Sequence, residues 1–408
     1  LGVLALPAGW LVLPQETVSD ADGAAARDAL LAGRLPEQWP ESLRALRLAA
    51  EGDVDAAAAQ VDPTAGPWHA YNHAVLTGEA GSLDLARDAA ADDSDLAALV
   101  AVVAYSLGRS TAAELPDPAA LTGEVAAHVL AAHAAAFLEA RDPQRALDAL
   151  VAAEQAAEPV SPVLAALLLG QQAGLLQEVN GADADVVAGY RAAVDALRGL
   201  DAVERATAEL TLGLATAYQE LAATRAPDAG GEMLGEAVRT YHLALRLLRK
   251  ESQPERYAFA HSNLALCYLS MPMAQARDTL RRGVAVQSLR EAQGIYTRET
   301  YPREWASVTL NLANALQHLP TTHPVENLIE AVGIYEDLLA ARPVEDDPLG
   351  HARVLANQGT VLAHLGIHDQ ARPKLSAARE LFAAAGDTAA VATVDAALAD
   401  VDAAQVVS

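Results

Sequence analysis

An all-α fold built from stacked helix pairs is predicted by three observations. Ala and Leu dominate the 408 residues and aromatics make up only 4%, an inventory that favours helices and lets them pack closely. From about Glu41 onward, helical stretches alternate with short breaks at Gly, Pro or Asp. In the C-terminal half one pattern recurs: a proline, a ring three residues on, then Ala, and an Asn nine residues after the proline. The instances are Pro254-Tyr257-Ala258-Asn263, Pro302-Trp305-Ala306-Asn311 and Pro348-His351-Ala352-Asn357. The Asn positions step from 263 to 311 and from 311 to 357, which is 48 and then 46 residues. A period of that size with constant internal offsets marks a helical-repeat array, in which each pair buries its apolar face against the next.

Residues 1–40 are read as a short extended segment followed by a first helix. Leu1 to Leu13 is apolar but broken by Pro7, too short to span a bilayer and without a basic leader. It predicts an extended segment or hairpin packed on the first helices. Residues 41–200 read as degenerate helix pairs. Glu41–Glu51 and Val54–Val61 flank the Gly52-Asp53 break, and Trp68–Thr77 pairs with Ser82–Ala91. Asp95–Leu107 precedes a proline-containing loop. Gly123–Ala140 and Gln144–Ala157 meet at Arg141-Asp142-Pro143, and Val163–Val179 is answered by Val186–Arg198.

Residues 201–408 predict the regular part. First helices are Ala202–Leu221, Glu255–Leu269, Arg303–Leu319 and Gly350–Leu365; second helices are Gly235–Lys250, Gly283–Arg298, Val325–Ala341 and Asp369–Ala385. Two second helices share Glu-Ala-x-Gly-Ile-Tyr, at Glu291–Tyr296 and Glu330–Tyr335, with a looser copy at Glu236-Ala237 and Tyr241. Thr388–Val401 is amphipathic and caps the last pair in this reading. Proline suits the first turn, where its missing N–H is unpaired in any helix. The ring after it can pack on the preceding pair, and Ala permits close helix approach. Asn has no propensity reason to sit inside a helix, so three in register need another explanation.

Net charge is −26, with 28 acidic and 10 basic side chains in residues 1–200. Such a surface repels phosphate backbones and anionic lipid heads, which argues against nucleic acid and membrane as partners. It keeps an Ala-rich chain in solution or, alternatively, offers a basic partner a site on the N-terminal half. Cys267 is the one cysteine, so no intramolecular disulfide framework exists, and its apolar helical setting makes it a small hydrophobe. With no secretory or transmembrane signal evident, the expected compartment is the cytoplasm.

At this point a resemblance carries the reading further. Leu264-Ala265-Tyr268, Leu312-Ala313-Leu316 and, more weakly, Gln358-Gly359-Leu362 resemble the first helix of the tetratricopeptide repeat; Ala237/Tyr241, Ala292/Tyr296 and Ala331/Tyr335 resemble its second. The run from Ile295 to Ala306 is similar to a long-repeat variant common in bacterial signalling and scaffold proteins. The likeness covers roughly residues 205–385 well and departs from the family in repeat length, 46–50 residues against about 34. It implies a right-handed superhelical array, an α-solenoid whose concave groove holds peptide main chain on Asn amides.

Offsets −4, 0, +3 and +7 from each Asn fall on one helical stripe. They are Phe259, Asn263, Leu266 and Ser270; Ser307, Asn311, Asn314 and His318; and Arg353, Asn357, Thr360 and His364. Amides offer donors and acceptors together. Each Asn therefore either bonds a neighbouring helix or loop carbonyl, or contacts a bound peptide, and register alone leaves both open. Tyr241, Tyr296 and Tyr335 are read as core. His69 and His73 stand at i, i+4 but lack a third ligand at suitable spacing, so no metal is expected. Asp92-Asp93-Ser94-Asp95 and Glu345-Asp346-Asp347 precede helices and read as caps. With no phosphate loop, nucleophile elbow or zinc-peptidase motif, no cofactor and no catalytic residue are expected. The function expected is a non-catalytic protein-interaction scaffold or assembly factor, binding a protein or peptide through Asn263, Ser307, Asn311, Asn314, His318, Arg353, Asn357 and Thr360. A regulatory sensor holding a small ligand between repeats is the alternative, and a helical-cavity enzyme comes after it. Self-association is left open, because the end repeats of a stack need capping.

Overall fold

The computed structural model describes residues 3–6, 9–13, 21–90, 92–271, 278–319 and 324–407. Pro7, read as the break in the N-terminal stretch, and Ala91, read as a helix end, lie outside the described residues. The chain divides into two units, Leu1–Thr224 and Arg225–Ser408. That division falls inside the pair the sequence joins, between Ala202–Leu221 and Gly235–Lys250.

In the first unit, the apolar N-terminal stretch forms an antiparallel hairpin, β1 (Val3–Leu6) and β2 (Gly9–Val12). Its register pairs Val3 with Val12, Leu4 with Leu11, Ala5 with Trp10 and Leu6 with Gly9. Helices follow at α1 (Ala21–Leu31), α2 (Arg44–Glu51), α3 (Val54–Ala58), α4 (Pro67–Thr77), α5 (Ala80–Ala89), α6 (Ser94–Ser106), α7 (Gly123–Glu139), α8 (Pro143–Ala157), α9 (Pro162–Asn180), α10 (Ala184–Ala196) and α11 (Glu204–Ala223). A short 3-10 turn at Asp201–Val203 leads into α11. The expected pairs form: α4 packs on α5, α7 on α8 and α9 on α10.

Period-2 alternation lets the hairpin serve two cores at once. Leu4, Leu11 and Leu13 are buried with Ala26, Leu30, Leu43 and Leu46 from α1 to α2. Trp10 and Val12 face the other way, among Tyr71, Leu96 and Val125, and Trp10 also reaches Leu164 and Leu167 on α9. Polar bonds lock this position. The Asn72 side chain on α4 accepts from the Val12 N–H and donates to the Val12 C=O, both at 2.8 Å and both buried. Tyr71 donates its hydroxyl to the Trp10 carbonyl at 3.3 Å, and the Trp10 ring meets His128 edge-on with centroids 4.7 Å apart.

The second unit holds α12 (Pro227–Leu247), α13 (Pro254–Ser270), α14 (Asp278–Gln293), α15 (Pro302–Gln317), α16 (Pro324–Ala341), α17 (Pro348–His364), α18 (His368–Ala384) and α19 (Thr388–Val407). Each of these helices packs on the next in sequence, and α19 covers α18 and α17 as the cap. Helix α12 starts at Pro227, ahead of the predicted Gly235, with the proline in its first turn, where it is tolerated, and Gly230 buried inside it. Helix α14 likewise begins at Asp278, ahead of the predicted Gly283.

The repeated residues find matching roles. Pro254, Pro302 and Pro348 open α13, α15 and α17. The ring three residues later meets a basic residue of the segment just before: Lys250 lies 5.8 Å from the Tyr257 ring centre and Arg298 lies 6.0 Å from that of Trp305. In the third copy His351 donates its Nδ1 hydrogen to the Arg342 carbonyl at 3.0 Å. The Glu of the shared second-helix string is a rung between repeats, since Glu291 pairs with Lys250 at 3.2 Å and Glu330 with both oxygens on Arg290 at 3.0 Å. These half-exposed pairs contribute at most about 1 kcal/mol each, so they set alignment more than stability. Asp93 and Asp347 cap α6 and α17 through their carboxylates, as read from sequence.

Two predictions follow from the first unit's core. Asn72→Ala strands a buried N–H and a buried C=O, and should lower stability by about 2–4 kcal/mol in urea unfolding followed by Trp fluorescence. His128 is buried, its Nε2 has no hydrogen-bond partner among the described residues, and burial pushes its pKa from 6.5 down to about 4. The unfolded chain then holds the proton more tightly, so stability is full above about pH 6.5 and falls as pH drops toward about 4. The loss approaches roughly 3 kcal/mol. His128→Leu should flatten that part of the slope relative to wild type, while His261, also pushed down to about 4 by burial, keeps a slope of its own.

Candidate functional site

The stripe expected to bind a partner lies on α13, α15 and α17, the first helices of successive pairs. These helices sit as they do because their opposite faces are buried: Ala258, Leu264 and Ala265 on α13, Ala306, Leu312 and Ala313 on α15, and Ala352, Gly359 and Leu362 on α17. Gly359 is required by the approach of α18. A Cβ at that position would lie 2.7 Å from Leu375 Cγ and 3.2 Å from the Ala371 carbonyl oxygen. Tyr241, Tyr296 and Tyr335 are buried, each with its Ala partner at 237, 292 or 331. The pairs thus repeat one small-and-aromatic arrangement in their second helices.

The three register asparagines do three different things. Asn263 donates to the Phe259 carbonyl of its own helix at 3.1 Å. Asn357 donates across to Asn314 Oδ1 at 2.9 Å, tying α17 to α15. Asn311 is half-buried and, among the described residues, makes no side-chain hydrogen bond. Asn314 is the hub: its Oδ1 also accepts from the Tyr335 hydroxyl of α16 at 2.7 Å, and Gln317 donates its amide to that same hydroxyl. Burial drives the Tyr335 phenol well above its ordinary pKa, so it stays a neutral donor.

Of the remaining stripe residues, Ser307 and Arg353 are exposed and make no side-chain hydrogen bond or ion pair among the described residues. Thr360 bonds back to the Ala356 carbonyl at 2.9 Å. His318 lies one residue past the end of α15, where its carbonyl receives the Arg282 guanidinium. Its imidazole is pushed down by burial first, then by Arg282 and His364. Beside Arg353, Ala306, Leu310 and Val354 help line a cavity of about 150 Å³. Asp347, bonded to Arg342 and to the Gly350 N–H, and His351, bonded to the Arg342 carbonyl, are engaged polar groups of its lining, whereas Arg353, which also lines it, is not.

The other sequence candidates are accounted for locally. His73 shares a hydrogen bond with Ser82 at 2.7 Å, and His133 donates to the Pro116 carbonyl at 2.9 Å. Burial raises the Cys267 thiol to about 12, which leaves it unreactive. Among the described residues no group of three or more His, Cys, Asp or Glu is placed to hold a metal. No helix among them is long and apolar enough to cross a membrane. Sequence reasoning missed Gln317 and Tyr335 as parts of the Asn314 hub and Asn72 as the clamp on the hairpin. The signal for Asn72 was present: it is another Asn inside a helix, with no propensity reason to be there.

No protein-family model and no curated protein matches this sequence. Solved structures do match. A Rap protein complexed with competence and sporulation factor is similar at 13% identity and TM-score 0.43, over 82% of this chain and 93% of that one. Yeast Tom70 is similar at 14% identity and TM-score 0.33, over 97% of this chain and 66% of the other. The P58(IPK) TPR domain is similar at 12% identity and TM-score 0.28, over 88% and 96%.

The hub makes its own prediction. Tyr335→Phe and Asn357→Ala each remove one bond to the same Asn314 oxygen, so each should destabilise by about 1–2 kcal/mol. Their combination should depart from additivity by at least about 0.5 kcal/mol in thermal melts. Strict additivity would mean that the two bonds act independently.

Proposed function

We propose that this chain is a non-catalytic protein-interaction scaffold that holds an extended segment of a partner along the first helices of its second unit. One observation carries the reading: in a chain of net charge −26, the stripe over α15 and α17 has no carboxylate and presents amides, hydroxyls, imidazoles and Arg353. Peptide main chain needs alternating donors and acceptors, and amide side chains supply both. The Asn357–Asn314–Tyr335 bonds fix two of those amides in advance, which lowers the ordering cost of binding. Asn311 and Ser307 are the residues with hydrogen-bonding capacity to spare, and Arg353 suits a carboxylate or a C-terminal group on the partner. The cytoplasmic placement expected from sequence belongs to this proposal.

At the stripe itself, a small-ligand sensor is less well supported. The cavity beside Arg353, about 150 Å³, falls below the roughly 300–1,000 Å³ of ordinary ligand pockets.

The test is affinity capture from the native host with wild type and with the Asn311→Ala/Arg353→Ala variant. Neither side chain holds the fold, so melting should stay within about 1 °C while capture of a specific partner falls at least tenfold, in line with the ~1.4 kcal/mol that such a change requires. Equal capture by the two proteins, or a joint loss of melting temperature and capture, would overturn the proposal.

A further inference from the structure

The cavity beside Arg353, about 150 Å³, lies between the first halves of α15 and α17 and the last turn of α16. Ala306, Leu310, Leu338, Leu339 and Val354 give it an apolar wall. Its polar lining is committed at two points and free at a third. Asp347 is paired with Arg342 at 3.2 Å, and His351 donates to the Arg342 carbonyl at 3.0 Å. Arg353 is exposed and makes no side-chain hydrogen bond or ion pair among the described residues.

Two observations say what fits. A cavity of this size lined by aliphatic side chains accommodates a benzene-sized ring. The repeat itself puts a ring at this place, because at the register position of His351 the preceding copy carries Trp305, which packs against the core of the second unit. Where that copy has an indole, the third has a smaller imidazole and a cavity beside it. The uncommitted guanidinium next to the apolar wall suits a carboxylate, since Asp347 is already held by Arg342.

We propose that this cavity is the specificity pocket of the partner-binding stripe, and that it takes a phenylalanine side chain whose neighbour in the partner sequence is an Asp or Glu paired with Arg353. The inference rests on the reading of the stripe as a partner surface. Ala306 and Leu310 adjoin Ser307 and Asn311 on α15, and Arg353 is itself a stripe residue on α17. A segment that crosses from one helix to the other therefore passes the cavity part-way. The residue that enters has chain on both sides, so the carboxylate belongs to a side chain and not to a chain end. Burial of the ring supplies the apolar contact, and the charge-assisted bond at the rim fixes which residue stands beside it.

Selection of a random peptide display library on the full chain tests this, with the enriched peptides synthesised and titrated by fluorescence polarisation. Enriched sequences should pair an internal Phe with a neighbouring Asp or Glu, and replacing that Phe by Ala should weaken binding at least tenfold. Arg353→Glu changes a side chain that holds no other group, so melting should be unchanged. It should bind these peptides at least tenfold more weakly and prefer versions with Lys in place of the acid. Leu310→Trp fills the cavity from α15 and should bind the Phe and Ala versions alike. Enriched peptides that weaken at least tenfold on Asn311→Ala but carry no Phe–acid pair would leave the stripe standing and overturn the pocket. So would Phe–acid peptides indifferent to Arg353→Glu, or peptides that bind only with the Phe at a free C-terminus. Absence of any enriched peptide sensitive to Asn311→Ala or Arg353→Glu would overturn both readings.

Discussion

Close approach between helices, allowed by Ala and Gly at the contacts, is the constraint on which this structure rests. A helix pair alone cannot bury its apolar face, so each must lean on its neighbours. Ala258, Ala265, Ala313, Ala331 and Ala352 are all almost wholly buried, and the contact at Gly359 is too close to admit even a single methyl group. Small contacts contribute little apolar area each. The bulk comes from a few large anchors, of which Tyr241 and Tyr335 are fully enclosed. Small residues set the spacing and tyrosines fill what remains, which is how a core forms with so few aromatics.

That division of labour explains what was legible beforehand. Proline at the first helical position, the ring behind it and the alanines act through local geometry and repeat period, so spacing alone exposed them. The N-terminal stretch was legible as an extended segment or hairpin for a similar reason, being an apolar run too short to span a bilayer and interrupted by Pro7. The asparagines were not legible. Asn263, Asn311 and Asn357 share one register, yet the first bonds its own helix, the last bonds Asn314, and the middle one does neither. What an amide bonds depends on the residue across the helix contact: Asn357 meets Asn314, whereas the residue equivalent to Asn314 on α13 is Leu266. A register found within one helix cannot state what faces it from the next.

The division at Thr224 was hidden for a related reason. Helices α11 and α12 both read as repeat helices because each has its own apolar face. The faces are used in different places: α11 packs on α10 and α9, and α12 packs on α13. Local pattern records that a face will be buried and is silent about the partner.

Asn72 bears on the proposed site. On α4, the first helix of its pair, one amide already holds an extended strand by the N–H and C=O of a single residue, Val12. A helix-borne Asn in this chain thus has the reach and geometry to take main chain in a two-bond grip. Asn311 presents the same group, half-buried and uncommitted among the described residues, on a stripe that carries no competing carboxylate. Differences in occupancy follow from connectivity. The hairpin is covalently attached and fills the first unit at high effective concentration, while the stripe on the second unit has to draw its strand from another molecule.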